Sequence, residues 1–402
     1  MRHVVVIGGG QAGSSCVAKL RSGGFDGKIT LIGGEPVPPY QRPPLSKAYL
    51  MGEMALERLF LRPEAFYADQ NIELRMGTWV TGIDTDAKKI RFEDGTLTYD
   101  DLVLATGSVP RRLPGAIGGD LEGVHVVRGL ADVDAMAPRF AKGAKVLIVG
   151  GGYIGLEAAS VAAKLGLQVT LVEAADRILQ RVAAPQTSDF FRALHKSHGV
   201  DLREGVGLDR LTGERAVSGA VLTDGTELDV DFVIAGVGIA PDTALAEAAG
   251  ITLDNGIHTD AQGRTSASRV WAAGDCCSFP YKDGRIRLES VPNAIDQAEV
   301  VAQNIMGADI AYEAKPWFWS DQYDVKLQIA GLNTGYDSVV TRDTGDGAVS
   351  FWYYQGATLL AVDAANDPRG YMVGKRLIEA GKSPDPVAIA DPATDMKALL
   401  RA

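Results

Sequence analysis

Two adjacent cysteines, Cys276 and Cys277, lie in the stretch AAGDCCSFP and raise the question of a redox centre. Consecutive Cα atoms lie about 3.8 Å apart across a trans peptide, whereas disulfides usually join Cα atoms roughly 4.4–6.8 Å apart. Disulfide reductases usually carry a C-x-x-C or C-x4-C pair, and neither spacing occurs in this chain. Cys16, the third cysteine, is typical of a small packed residue. We therefore interpret the thiols as packing residues and assign the chemical interest to Asp275.

Two glycine-rich turns have the spacing that binds dinucleotide phosphates. In each turn the first glycine permits a tight bend, the second admits a pyrophosphate and the third lets a helix pack on a strand. The helix N-terminus then offers free N–H groups to the phosphates. The glycines are Gly8, Gly10 and Gly13 in VVVIGGGQAG and Gly150, Gly152 and Gly155 in KVLIVGGGYIG. Two such turns predict two bound nucleotides.

An acidic residue follows each turn by about twenty residues, at the end of the next predicted strand. These residues, Glu35 and Glu173, can accept hydrogen bonds from the two ribose hydroxyls. A carboxylate at this position repels the 2′-phosphate of NADP, so Glu173 favours NADH over NADPH. Arg177 is close in sequence and could soften this preference.

The elements that must position these residues occur twice. EDGTLTYDDLVLATGS (93–108) aligns without gaps with TDGTELDVDFVIAGVG (223–238), and each predicts a hairpin turn, a polar strand and a buried apolar strand. The last part of the chain instead predicts antiparallel strands, and then a helix that begins near Pro368 and ends by Gly381.

Composition narrows the class of protein. The chain has 402 residues, 46% of them hydrophobic, and a net charge of −11, which argues against a nucleic-acid partner. No apolar run approaches the length of a membrane span. The apolar run in the opening MRHVVVIGGG is too short for a signal peptide, and no small-residue cleavage site follows it. An odd number of cysteines, three, argues for a reducing compartment, so we expect a cytoplasmic protein without a membrane partner.

These motifs resemble the two-dinucleotide-domain flavoprotein reductases over nearly the whole chain. Besides the glycine turns, the resemblance rests on Ala105-Thr106-Gly107 and on AAGD, in which Asp275 would bind the ribitol of FAD near the N-terminus of a helix. It implies an α/β fold of the glutathione-reductase type, with two Rossmann-like dinucleotide-binding domains and a C-terminal α+β domain. The implied domains are 1–110 and 239–315 for FAD, 111–238 for NADH, and 316–402 at the C-terminus.

The segment PPYQRPPLSKAYL (38–50) is similar to the ferredoxin reductases that serve haem-thiolate monooxygenases and aromatic-ring dioxygenases, the family of putidaredoxin reductase and biphenyl dioxygenase ferredoxin reductase. This resemblance implies that Arg42 contacts the FAD phosphates or ribose, that Pro43 lies near the isoalloxazine and that Lys47 lies beside its reactive edge. Glu157 matches the glutamate that faces the nicotinamide and pairs with the family lysine. Lys47 and Glu157 are therefore the predicted catalytic residues, although a surface lysine and a solvated helix charge remain the alternatives.

Two further stretches support the resemblance. ESVPNAIDQA (289–298) matches the helix whose N-terminus approaches the flavin, so Val291 and Pro292 would give backbone contacts, with Gln297 one turn further on. Trp319 matches a tryptophan beside the flavin on the side that the iron–sulfur partner approaches. The alternatives are a packed polar residue for Gln297 and a core aromatic for Trp319.

Taken together, the predicted site contains two cofactors, FAD and NADH, and no metal. The predicted cofactor contacts are Gly8, Gly10, Gly13, Glu35, Arg42, Pro43, Lys47, Ala105, Thr106, Gly107, Asp275, Val291, Pro292, Gln297, Trp319, Gly150, Gly152, Tyr153, Ile154, Gly155, Glu173 and Gly238.

The resemblance predicts an NADH-dependent ferredoxin reductase that passes electrons singly through the flavin to an acidic two-iron two-sulfur ferredoxin of a monooxygenase or dioxygenase system. We expect a monomer and electrostatic docking on a local basic patch. The candidate docking residues are Arg58, Arg62, Lys326, Arg369, Lys375 and Arg376. An NADH oxidase, a rubredoxin or monodehydroascorbate reductase and an apoptosis-inducing-factor-like NADH-binding flavoprotein are the alternatives. A peroxidase is disfavoured because that chemistry usually needs a cysteine near Leu45 or Ser46.

Overall fold

The computed structural model describes residues 1–345 and 347–401, and the chain divides into two compact units. The first unit consists of Met1–Arg42, Met54–Val109 and Ile239–Pro316. The second consists of Pro43–Glu53, Pro110–Gly238 and Trp317–Ala402. The assignment of four segments to an FAD domain, an NADH domain and a C-terminal domain stays a prediction.

The strands are short, of two to eight residues each. The strands are β1 His3–Ile7, β2 Lys28–Ile32, β3 Ile72–Arg75, β4 Val80–Asp84, β5 Lys89–Phe92, β6 Gly95–Thr98, β7 Asp101–Leu104, β8 Ser108–Pro110, β9 Val124–His125, β10 Lys145–Val149, β11 Gln168–Glu173, β12 Asp201–Glu204, β13 Leu208–Thr212, β14 Gly219–Leu222, β15 Glu227–Asp229, β16 Phe232–Ala235, β17 Ile239–Pro241, β18 Ile257–His258, β19 Val270–Ala272, β20 Cys277–Tyr281, β21 Gly284–Ile286, β22 Trp317–Gln322, β23 Val325–Gly331, β24 Ser338–Asp343, β25 Val349–Gln355 and β26 Thr358–Ala365.

The helices connect these strands. They are α1 Gln11–Ser22, α2 Glu64–Asp69, α3 Leu130–Met136, α4 Tyr153–Lys164, α5 Pro185–Ser197, α6 Ala244–Ala248, α7 Val291–Ile305, α8 Pro368–Glu379, α9 Pro386–Ala390 and α10 Met396–Leu399. Short helical turns occur at Leu45–Tyr49, Leu56–Arg58, Gly115–Ile117 and Ala137–Arg139.

The first unit is built on a five-stranded parallel sheet of order β3-β2-β1-β7-β19. The apolar residues of β1 and β7 are buried because both faces of this sheet are covered, as parallel sheets require. Helices α1 and α7 pack against each other on one face, in a core that includes Val17 and Val301. The carboxyl ends of β1, β2, β7 and β19 therefore meet at one edge, which is where such sheets bind ligands.

The second unit contains a matching parallel sheet of order β12-β11-β10-β16-β9. A three-stranded antiparallel sheet accompanies each parallel sheet, β4-β5-β6 in the first unit and β13-β14-β15 in the second. These pairs confirm the architectural repeat predicted from the aligned stretches 93–108 and 223–238.

The C-terminal part of the second unit is an antiparallel sheet of order β22-β23-β26-β25-β24. Helix α8 begins at Pro368, where the missing N–H is tolerated, and packs against β26 and β23. Trp352 is fully buried in its core. Two Rossmann-like sheets and this antiparallel layer confirm the predicted fold class.

Candidate active site

The first glycine-rich turn joins β1 to α1 in the first unit. Gly8 has a φ of +125°, and a Cβ there would lie 2.0 Å from the carbonyl oxygen of Ala105. A Cβ on Gly13 would lie 1.9 Å from the Gly8 carbonyl oxygen, whereas one on Gly10 would meet none of the described atoms within 4 Å. The first and third glycines are thus required by the packing of the chain on itself. The second faces open space at a helix N-terminus, where an anion can approach the N–H groups.

The second turn, between β10 and α4 in the second unit, repeats this arrangement. A Cβ on Gly150 would lie 2.4 Å from the Gly236 carbonyl oxygen, and one on Gly155 would lie 2.1 Å from the Gly150 carbonyl oxygen. Around Gly152 the described atoms again leave a 4 Å radius empty. Both turns therefore fit the pyrophosphate of a dinucleotide.

The Glu35 carboxylate, just beyond β2, is held by two side chains of the following loop. Tyr40 donates its hydroxyl to Oε2 over 2.5 Å, and Arg42 pairs with Oε1 over 2.6 Å. The Arg42 guanidinium also lies 5.1 Å from the centre of the Tyr40 ring. Because the Glu35 and Arg42 side chains remain 34% and 29% exposed, they can still offer a carboxylate and a guanidinium to a ribose and a phosphate.

The Glu173 carboxylate, at the end of β11, is held by the backbone. It accepts hydrogen bonds from the N–H of Gly151 over 2.7 Å and of Ala175 over 2.8 Å. Arg177 instead donates to the hydroxyl of Ser188 over 2.6 Å. The Glu173 carboxylate is thus anchored beside the second glycine turn. The Arg177 guanidinium, which could weaken the predicted preference for NADH over NADPH, instead binds Ser188.

Asp275 lies just beyond β19, at the ligand-binding edge of the first sheet. It accepts a hydrogen bond from the Ser108 hydroxyl over 3.0 Å. The motif Ala105-Thr106-Gly107 lies one strand away, and the Thr106 hydroxyl donates to the carbonyl oxygen of Asp242 over 2.6 Å. The Thr106 side chain therefore ties this motif to the residue that follows β17. Any contact with a cofactor falls to the backbone of this motif.

The sequence predicted a helix N-terminus near Asp275. Strand β20 follows Asp275 directly in the chain, so the next helix, α7, is the one that corresponds to this prediction. A Cβ on Gly274 would lie 3.7 Å from Cβ of Ala294, in the first turns of that helix. The buried Gln297 amide oxygen accepts from the Gly274 N–H over 2.9 Å and from the Cys277 thiol over 3.1 Å. Gln297 thus ties α7 to the Asp275 loop, and its contact with a cofactor stays a prediction. Val291 and Pro292 form the first turn of α7 ahead of it, in which Val291 is half-buried and Pro292 is buried.

The three thiols are free and fully buried. Burial raises the pKa of Cys16 to about 12 and raises the pKa values of Cys276 and Cys277 as well. Since the thiolate is the reactive form, these cysteines are placed as inert packing residues.

Lys47 and Glu157 meet in the second unit. Lys47 lies in the turn Leu45–Tyr49, where its backbone leaves the helical conformation, and its Nζ is 2.9 Å from Oε1 of Glu157. The hydroxyls of Ser46 and Ser320 donate to the same carboxylate over 3.2 Å and 2.8 Å. Burial raises the pKa of the Glu157 carboxyl, although the Lys47 ammonium and the two hydroxyls act in the opposite direction. The pair implied by the resemblance is present, and both its members are largely buried rather than solvated.

Trp319 lies in β22, two residues before Asp321, whose carboxylate is close to Lys47. Lys47 Nζ is 3.9 Å from Asp321 Oδ2. The Trp319 ring lies 5.7 Å from the ring of Trp317, which in turn lies 6.2 Å from Tyr371. Trp317 and Trp319 are only half-buried, unlike the core residue Trp352.

The remaining predicted contacts lie near the second glycine turn. Ile154 is 41% exposed at the start of α4. The Tyr153 ring packs edge-on against Phe318, 5.0 Å away, and its buried hydroxyl has no hydrogen-bond partner among the described residues. Gly238, with a φ of +98°, follows β16 as Gly107 follows β7.

The candidate docking residues divide between the units. Arg58 and Arg62 belong to the first unit, and Arg62 donates to the Ser14 hydroxyl over 2.9 Å. In the second unit Lys375 pairs with Glu379 on the same helix. The exposed members of the second unit are Lys326, Arg369 and Arg376.

Sequence reasoning missed the hydroxyls that donate to the carboxylates of Glu35 and Glu157. Tyr40 and Ser46 lie inside the quoted segment 38–50, where their polar side chains were a usable signal. Ser320 gives no local signal because it lies 163 residues from Glu157.

In the part of the chain that the structure describes, no group of three His, Cys, Asp or Glu side chains is arranged to hold a metal ion. No helix among residues 1–345 and 347–401 has the length and apolar character needed to cross a membrane.

Comparisons with known proteins match nearly the whole chain. Residues 2–298 match the family model described as pyridine nucleotide-disulphide oxidoreductase, and residues 317–400 match the one described as reductase C-terminal. A ferredoxin–NAD(P)+ reductase from Sphingomonas sp. is 44% identical over 98% of this chain and 96% of its own length. Putidaredoxin reductase from Pseudomonas putida is 41% identical over 100% of this chain and 97% of its own length. The crystal structure of a covalent putidaredoxin reductase–putidaredoxin complex matches with a TM-score of 0.96 and 40% identity, over 100% of this chain and 98% of that one.

Proposed function

The chain belongs to the pyridine nucleotide-disulphide oxidoreductase family, and we propose that it is an FAD-containing NADH:ferredoxin reductase of an oxygenase system. Its full-length relatives are ferredoxin and putidaredoxin reductases, and both glycine turns fit a dinucleotide. The protein uses FAD and NAD(H), and its electron acceptor is a ferredoxin.

The observation that carries this proposal is the buried pair of Lys47 and Glu157. Lys47 lies in the segment 38–50, where disulfide reductases of this fold hold redox cysteines. The thiols of this chain are buried and free, and their raised pKa values oppose thiolate chemistry. An exit for electrons through a disulfide is therefore disfavoured, and an exit through the flavin is favoured.

When bound, FAD converts the two-electron donor NADH into a source of single electrons. The contribution of the protein is mainly positioning. The open Gly10 and Gly152 positions admit the two pyrophosphates, and the Lys47 ammonium supplies a positive charge that Glu157 holds in place. The anchored carboxylate of Glu173 supports NADH as the donor because it repels a 2′-phosphate.

The partner we propose is a small, acidic two-iron two-sulfur ferredoxin that binds a monomer of this chain. Since the chain itself carries a net charge of −11, such a partner needs a local basic surface. Helix α8 offers one, because Arg369, Met372 and Arg376 lie at positions that share a helix face and all three are exposed.

The experiment that tests this proposal is NADH-driven cytochrome c reduction, measured with and without a two-iron ferredoxin at low and high salt. We expect strong stimulation by ferredoxin that weakens with salt, and little activity with NADPH. Rapid oxygen uptake without ferredoxin stimulation would indicate an NADH oxidase. Slow turnover with long-lived reduced flavin would indicate an apoptosis-inducing-factor-like protein. Stimulation by rubredoxin and not by ferredoxin would indicate a rubredoxin reductase.

A further inference from the structure

A line of buried hydrogen bonds leads away from the Glu157 carboxylate inside the second unit. The Ser320 hydroxyl donates to Glu157 Oε1 over 2.8 Å, and the Gln322 amide nitrogen donates to Ser320 Oγ over 3.2 Å. The Gln322 amide oxygen lies 2.8 Å from Nε2 of His195. Ser320, Gln322 and His195 are all completely buried. We call these three residues the donor chain.

The donor chain ends at a half-buried tyrosine. The Tyr323 hydroxyl lies 3.2 Å from Nδ1 of His195, and the ring of Tyr323 stacks on that of His198 at 3.7 Å. The Tyr323 N–H donates to the Ser160 hydroxyl over 2.7 Å, which ties the end of β22 to α4. The chain therefore has one end on a carboxylate and the other near the surface.

The carboxylate determines the direction of every bond in the line. An ionised Glu157 can only accept, so the Ser320 hydroxyl must donate to it and can then accept from the nitrogen of the Gln322 amide. The oxygen of that amide faces His195, whose Nε2 must therefore carry the proton. Nδ1 is left to accept from Tyr323. All the donors consequently point towards Glu157.

We propose that Ser320, Gln322 and His195 are positioning residues for the electron-transfer reaction: they hold the Glu157 carboxylate ionised and oriented towards Lys47. This inference rests on the proposed function, because it concerns the pair assigned there. The chain is a holder and not a proton wire, because an amide stands between the hydroxyl and the imidazole and does not readily exchange a proton along the line.

The charges around Glu157 are consistent with this role. Lys47 faces it directly, and Asp321 of β22 reaches it only through Lys47. On the adjacent strands, Glu173 is held by backbone N–H groups and Lys145 pairs with Asp229. Burial favours the protonated carboxyl, and the Lys47 ammonium together with the hydroxyls of Ser320 and Ser46 opposes protonation.

His195 also lies among charges that are paired elsewhere. On its own helix Arg192 binds Glu204 of β12, and Arg203 of β12 binds Asp201. Burial lowers the pKa of His195 to about 4, with His198 as a smaller contribution in the same direction. The imidazole therefore stays neutral above that pH and keeps Nδ1 free to accept.

The first test is the pH dependence of flavin reduction by NADH, measured by anaerobic stopped flow on the FAD-loaded protein. At acidic pH we expect the rate of flavin reduction to fall as Glu157 becomes protonated, which gives the acidic limb of the profile. In Ser320→Ala this acidic limb should move about one pH unit higher, which is a tenfold change in the proton affinity of Glu157. Ser320→Thr keeps the hydroxyl and should restore the wild-type limb. The matched control is Ser350→Ala, which removes another fully buried hydroxyl that donates to a carboxylate, Asp367.

The second test does not depend on activity. Nitrogen NMR of histidine-labelled protein should show His195, identified by its loss in His195→Gln, as the neutral Nε2–H tautomer, and this tautomer should be lost in Gln322→Met. An Nδ1–H tautomer, or a Ser320→Ala limb that coincides with the wild type and with Ser350→Ala, would overturn the inference. Failure of the wild type to reduce its flavin with NADH would instead overturn the proposed function and leave the NMR result interpretable.

Discussion

At the scale of the residue, we propose that Glu173 determines the choice between the two nicotinamide cofactors. In Glu173→Ala we expect the ratio of kcat/KM for NADH to that for NADPH to fall about tenfold, since a hydrogen bond to a charged group contributes about 1.5 kcal/mol. Steady-state kinetics with both cofactors measure this ratio. Glu227→Ala, an exposed carboxylate of β15, is the control and should leave the ratio unchanged.

The same carboxylate also anchors the backbone of Gly151 and Ala175. If Glu173→Ala lowered the efficiency with NADH and NADPH equally, its main role would be to hold the glycine turn, and the proposed discrimination would be wrong. Glu173→Gln separates the two roles further, because an amide keeps one acceptor and removes the repulsive charge.

At the scale of the element, Gly8 and Gly10 of the first turn should respond to alanine in opposite ways. Gly8→Ala forces a Cβ to 2.0 Å from a backbone oxygen at a φ of +125°, so we expect the apoprotein to lose more than about 2 kcal/mol of stability. Gly10 has a φ of −97° and open space around it, so Gly10→Ala should fold normally and lose FAD. Thermal unfolding and flavin absorbance measure the two effects.

Gly152→Ala is the matching change in the second unit. Its φ of −81° suits alanine, so this variant should retain both stability and FAD and show only a raised KM for NADH. Loss of FAD in Gly152→Ala, or unimpaired FAD content in Gly10→Ala, would contradict the assignment of the two turns.

The C-terminal sheet and α5 share a buried carboxyl that makes stability depend on pH. Asp363 of β26 is fully buried, accepts from the Tyr353 hydroxyl and accepts from Thr187 over 2.8 Å. Burial outweighs these two donors and raises the pKa of Asp363 to about 6. The folded protein therefore binds this proton more tightly than the unfolded chain does. The resulting stabilisation is complete below about pH 4 and is lost as the pH rises through about 6.

Asp363→Asn removes this titration. Relative to the wild type, the variant should gain about 3 kcal/mol between acidic and neutral pH, and the melting temperature measured over a pH series tests this. The difference between the two proteins cancels the titration of Glu157, which both contain. A constant difference across the series would show that the Asp363 carboxyl does not titrate in this range.

At the scale of the whole molecule, the sequence allowed prediction of what local sterics and periodicity control. The positions of Gly8 and Gly13 follow from a strand–turn–helix that leaves no room for a Cβ, and the start of α8 follows from Pro368. Both parallel sheets and the antiparallel sheet were predictable because their strands are short, apolar and bounded by turns.

Contacts between distant parts of the chain gave no such signal. The Lys47–Glu157 pair was implied only by a family resemblance, and nothing in the local sequence connects Ser320 with His195. The contact of Gln297 with a cofactor stays a prediction, whereas the hydrogen bonds that its amide oxygen accepts from Gly274 and Cys277 gave no signal in the sequence. These contacts depend on the register of β22 and on the packing of α7, which the sequence pattern alone does not determine.

Docking of the ferredoxin is a property of the molecular surface, and we propose that the exposed arginines of α8 act on it. The double variant Arg369→Glu/Arg376→Glu reverses two exposed charges on one helix face, so the KM for ferredoxin should rise about tenfold at low salt and much less at high salt. NADH reduction of a small acceptor should stay unchanged, because it needs no docking. Arg210→Glu/Arg215→Glu, which reverses two side chains that are 55% and 92% exposed, is the charge-matched control. An equal effect of this control, or an effect that salt does not weaken, would indicate that only net charge matters and that the ferredoxin docks elsewhere.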